Sequence, residues 1–92
     1  MNVKEIKIQA LGLLALADGY ALEARIAYST GHNSTGRLWD EARASCLGAV
    51  KACIQALASD DIVRDGHLGT FAALRSGMLA AELEAWGEKE KW

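Results

Sequence analysis

Proline is absent from the 92 residues, so no position forbids helix and no rigid Pro-rich spacer divides the chain. Cysteine is scarce, at Cys46 and Cys53 only. On one helix these two lie about 10 Å apart along the axis, too far to bridge each other. A disulfide framework is excluded, and buried, reduced thiols in a cytoplasmic setting are expected. His32 and His67 are isolated, and two histidines with two core cysteines do not meet the ligand spacing of a tetrahedral zinc site.

Charge of one sign is lacking too. The formal net charge is −2, with six Lys/Arg against five Asp/Glu over 1–59 and four against seven over 60–92. Neither half resembles a nucleic-acid surface. No apolar run approaches the ~20 residues that span a bilayer. Lys4 and Lys7 precede Ala10–Ala17, and Ala15-Leu16-Ala17 imitates a cleavage site, but Glu5 and Gln9 interrupt the stretch. No leader is expected.

What the chain does have is alanine, seventeen of them, in a composition that is 51% hydrophobic. That favours helix throughout and a globular rather than disordered chain. The expected fold is all-α: one domain over 1–92, a compact bundle of three long helices at about 3–29, 35–59 and 68–89. A short helical turn or loop is expected at 60–67. Ser29-Thr30-Gly31 supplies a glycine stop for the first helix, and Asn33, Ser34 or Thr35 a cap for the second. Asp60 or Asp61 can cap Ile62–Arg64, and Asp65 or Thr70 can open the last helix.

The first helix carries more apolar surface than one packing face hides. At about 100° per residue, Ile6, Ala10, Leu13, Leu14, Leu16, Ala17, Tyr20, Ala21, Ala24 and Tyr28 form a broad arc. Ile8, Leu11, Ala15, Leu22 and Ile26 fall on the other side. Leaving Ile8, Leu11, Leu22 and Ile26 in water forgoes roughly 1.5–3 kcal/mol each, comparable in sum with the ~5–15 kcal/mol stability of a whole domain. The third helix, a second copy of the chain or a different protein is expected to cover them, with a homodimer interface preferred.

The second helix is amphipathic, with Leu38, Trp39, Ala42, Cys46, Ala49, Val50, Cys53, Ile54 and Leu57 on its core side. Its outer side carries Arg37 and Glu41 and a ridge of small residues, Ala44, Gly48 and Ala52. Alanine as a good helix filler is the plainer reading of this ridge, but a mid-helix glycine costs up to about 1 kcal/mol relative to alanine, and small residues at this spacing let another backbone come close. On the third helix Leu68, Ala72, Leu79, Leu83 and Trp86 form one apolar flank, and Phe71, Leu74, Met78, Ala81 and Ala85 the other. Trp92 ends a charged tail and is a candidate interface anchor.

Chemistry is harder to find. Gly31-His-Asn-Ser-Thr-Gly36 has P-loop spacing but lacks the lysine and the Ser/Thr that hold phosphate and magnesium. Asp60, Asp61, Asp65 and His67 imitate a calcium loop, but Val63 and Ala72 stand where oxygen ligands are required. No Ser or Cys has a companion His at usable spacing. No cofactor, metal or catalytic group is expected. The functional expectation is a non-catalytic protein–protein interaction module, a small stand-alone inhibitor or adaptor that occupies a surface of another protein or complex. Phage and mobile-element blockers of host defence, anti-CRISPR proteins among them, are one such class. The expected contact residues are Arg37, Glu41, Ala44, Gly48, Ala52 and Trp92. The alternatives are a homo-oligomeric helical DNA-binding regulator, against which the long helices and acidic last segment count, and a small enzyme or ligand-binding bundle.

Overall fold

The computed structural model describes all 92 residues, as three helices: α1 (Val3–Ser29), α2 (Asn33–Leu57) and α3 (Asp61–Lys89). α1 starts at Asn2, whose side-chain oxygen accepts from Glu5 N at 2.9 Å. It stops at Gly31, the one residue at positive φ (82°). The amides of Gly31 and His32 turn back to Tyr28 O and Ala27 O at 3.2 and 2.8 Å, a Schellman closure that only a residue tolerant of the left-handed region accommodates. α2 then begins at once, after His32. None of Asn33, Ser34 and Thr35 caps it: Ser34 Oγ donates to Glu88 Oε1 at 2.8 Å, and Thr35 is buried.

Residues 60–67 differ from expectation. They form neither a separate turn nor a loop, since α3 is continuous from Asp61 through Gly66 and Gly69. Asp60 is the cap, accepting from Ile62 N and Val63 N at 3.1 and 3.0 Å. Arg64 donates from Nε to Ala56 O at 3.0 Å and from a guanidinium NH2 to Ser59 O at 3.1 Å, satisfying carbonyls at the end of α2. A cap worth ~1 kcal/mol and these charge-assisted bonds offset the penalty of about 1 kcal/mol for each helical glycine.

α2 lies between the other two and packs along both, whereas no Cα of α1 comes within 8 Å of one in α3. The bundle measures 47 × 18 × 14 Å, its long axis set by helix length. Ten of its nineteen core residues are alanine, so helix axes approach closely and the large core side chains are few: Trp39, Tyr20, Phe71, Met78, Ile6 and Leu13. Two of the three ridge residues on α2, Gly48 and Ala52, serve this packing. Ala52 is buried, and a Cβ on Gly48 would sit 3.1 Å from Leu74 Cδ1. The Leu74 side chain of α3 lies against Gly48, so neither residue stands on the free outer face expected of it.

Candidate interaction surface

Because α2 separates the two backbones, α1 and α3 run parallel with an open crease between them on the side away from α2. Only side chains span it. Tyr20 OH donates to Glu82 Oε2 at 2.6 Å, and Lys89 Nζ pairs with Glu23 Oε2 at 2.8 Å. Burial first, then the hydrogen bond to Glu82 and its charge, hold the Tyr20 hydroxyl protonated well above the usual phenol range. Beneath this tie Tyr20 stacks on Trp39 at 5.7 Å, and Trp39 meets Trp86 edge-on at 5.2 Å. The Trp39 indole N–H is buried without a hydrogen-bond partner.

Two hollows lie end to end along the crease and share Leu16. The first, about 290 Å³, is lined by Ile8, Gln9, Gly12, Leu13, Leu16, Arg75, Met78 and Leu79. The second, about 250 Å³, is lined by Leu16, Gly19, Tyr20, Leu22, Glu23, Trp39, Glu82 and Trp86. Both are shallow and apolar, with Arg75 at one end and Glu23 and Glu82 at the other.

The five residues expected at a dimer interface all border this crease or the crest of α1 beside it. Ile8 is 58% exposed, Leu11 68%, Leu22 52% and Ile26 37%, and Ala15 is exposed as well. α3 therefore does not cover them, which removes one of the three expected occupants. α3 instead adds its own flank to the same face through Leu79, Leu83 (73% exposed) and Trp86. Leu79, Leu83 and Trp86 were legible as a stripe on α3; their union with the crest of α1 required the parallel placement of the two helices.

The other expected contacts divide. Arg37, Glu41 and Ala44 remain exposed on α2, and Arg37 and Glu41 form no ion pair. Trp92 is not a free tail: it stacks on His32 with ring centroids 3.9 Å apart and donates from Nε1 to Thr35 Oγ1 at 3.4 Å. Cys46 Sγ donates to Leu13 O at 2.9 Å, and burial pushes both thiols up. No three His, Cys, Asp or Glu side chains gather where a metal ion could sit. No helix is long and apolar enough to cross a membrane. Comparison with known families, curated proteins and solved structures yields no match.

Proposed function

We propose that this chain is a non-catalytic protein–protein interaction module, an inhibitor or adaptor by type, whose working surface is the apolar face shared by α1 and α3. The observation that carries this reading is the extent of that face. Ile8, Leu11, Leu16, Leu22, Ile26, Leu79, Leu83 and Trp86 are each between 37% and 73% exposed. At roughly 100 Å² apiece they leave about 800 Å² of large apolar side chain in water, the share one partner contributes to a standard stable interface. The largest patch on a typical monomer is smaller, at about 300–600 Å².

The shape favours a protein over a small ligand. The hollows, about 290 and 250 Å³, stand at the small end of ordinary ligand pockets, ~300–1,000 Å³, and lie open along a long crease between two parallel helices that suits a third helix. Mixed charge at its two ends gives no field for a phosphate backbone. Two buried thiols favour a reducing compartment, the cytoplasm. Blocking a host defence complex, as phage anti-CRISPR proteins do, is one way such a module works.

The test is the double variant Leu11→Glu/Leu83→Glu, made at two exposed positions so that circular dichroism should stay that of the parent. Affinity capture from the producing cells, read by mass spectrometry, should recover protein partners with the parent and lose them with the variant. Equal recovery by both would overturn the reading.

A further inference from the structure

We propose that the chain supplies three corners of a four-helix bundle, and that the occupant of the crease is one amphipathic helix of another protein. That helix runs antiparallel to α1 and α3, with a basic residue opposite Glu82 and, seven places later, an acidic one opposite Arg75. The inference rests on reading the face as protein-binding and adds the form, direction and charge order of the partner.

Three helices that close on one another make three pairwise contacts, whereas here α1 and α3 touch α2 but not each other. In an up-down-up-down bundle the first and third helices stand on a diagonal, each packed on the second and the fourth. With neighbouring axes about 8–10 Å apart, that diagonal is roughly 11–14 Å. Backbones do not meet across such a gap, but long side chains do, as Tyr20 meets Glu82 and Glu23 meets Lys89. α1 and α3 stand in this relation, and the crease is the fourth corner. A helix placed there runs in the direction of α2.

The lining of the crease carries the spacing of such a helix. Its two hollows are one unit repeated after seven residues: Gly12, Arg75 and Leu79 line the first, and Gly19, Glu82 and Trp86 the second. Seven residues advance a helix about 10.5 Å, close to two turns. Side chains seven places apart on one incoming helix therefore enter both hollows at once. A Cβ on Gly12 or Gly19 would meet nothing within 4 Å, so the single chain gains nothing from glycine there, although glycine is disfavoured inside a helix. The bare backbone at both positions makes room for the incoming side chains.

Charge sets the direction. Arg75 and Glu82 have no ion pair within the chain, while Glu23 is held by Lys89. A helix antiparallel to α3 turns its positive N-terminal end toward Glu82 and its negative C-terminal end toward Arg75. A second copy of the chain does not fit the corner. A two-fold axis across the helices sets α1 on α1 and α3 on α3, and one along them sets α1 on α3; either way crease faces crease and stays unfilled.

The test uses two synthetic alanine-rich peptides of about 20 residues, long enough to be helical and to span the crease. Both carry a leucine stripe that includes two residues seven places apart. One has Lys beside the stripe and Glu seven places later, and the other has the two exchanged. Fluorescence anisotropy with the full chain, titrated to about 1 mM, should show the Lys-first peptide bound about fivefold or more tightly than the Glu-first one. Arg75→Glu, at an exposed position, should remove that preference, and Glu82→Gln, which leaves an acceptor for Tyr20, should reduce it. Gly19→Gln should weaken both peptides about tenfold or more with no loss of circular dichroism. Binding of neither peptide, equal affinity for both, or a preference that survives Arg75→Glu would each overturn the inference. Self-association by light scattering that Gly19→Gln weakens would also overturn it, giving the crease to a second copy. Captured protein lost on Leu11→Glu/Leu83→Glu while neither peptide binds would overturn the helix and leave the wider reading of the face in place.

Discussion

Replacing Tyr20 with Phe removes one oxygen and leaves the ring. Tyr20 is 3% exposed and its hydroxyl, 2.6 Å from Glu82 Oε2, is the innermost polar link between α1 and α3. A hydrogen bond to a charged acceptor is worth roughly 1.5–3 kcal/mol. Glu82 is only half-buried at the crease, where water can replace the phenol, so the expected loss is about 1–2 kcal/mol. For a domain of this size that lowers the thermal midpoint by roughly 5–10 °C.

The pH dependence has a definite sign. The phenol is raised in the folded chain above its ordinary value of about 10 in the unfolded one. Its contribution is complete below that value and is lost as pH climbs from there toward the folded value. Tyr28, raised by its bond to Asp40, titrates alike in parent and variant and cancels. Urea unfolding of Tyr20→Phe and parent at one fixed protein concentration should show a constant gap from about pH 6 to 9 that closes above about pH 10. A gap under about 0.5 kcal/mol, the scale of a neutral surface change, or one that widens with alkali, would refute the reasoning.

Gly36→Ala places a Cβ within 2.7 Å of the Tyr28 ring, whose hydroxyl donates to Asp40 Oδ2 at 2.6 Å; displacing the ring should cost about 1–3 kcal/mol, which outweighs the gain of up to about 1 kcal/mol that alanine brings to a helix interior. Gly66→Ala meets nothing within 4 Å and should gain up to about 1 kcal/mol, so the two thermal midpoints move in opposite directions. Asp60→Ala should destabilise by about 1 kcal/mol and speed amide exchange in the first two turns of α3, where a loop over 60–67 would show no change.

The helices and the excess of α1 were readable because both depend on local order. Absence of proline, Gly31 at a helix end and the spacing of Ile6, Ala10, Leu13 and Ala17 act within a few turns. What escaped depended on contacts between elements. Residues 60–67 read as a break because Asp60, Asp65, Gly66 and Gly69 each disfavour a helix interior; Arg64 reaching back to Ala56 O and Ser59 O outweighs them. Gly48 and Ala52 belong to a ridge of small residues, yet a wheel drawn on α2 alone cannot tell a neighbouring helix of the same chain from a foreign one. The crease was invisible for the same reason, since its two walls lie more than sixty residues apart.

The face follows from what fills the core. A buried alanine removes little area from water, so ten alanines among nineteen core residues make an interior that draws the helices together without sheltering many large side chains. Leucine and isoleucine are then displaced outward by geometry. Had α1 and α3 closed on each other, the outer flank of α3 could have roofed Ile8 and Leu22. With α2 between them, Leu13, Met78, Tyr20 and Trp39 floor an open crease instead, and Tyr20, Glu82, Glu23 and Lys89 fix its width. A core of small residues and an exposed apolar crease are thus two consequences of one choice of residue. At about 25 cal/mol per Å², covering the face recovers burial that the single chain leaves in water.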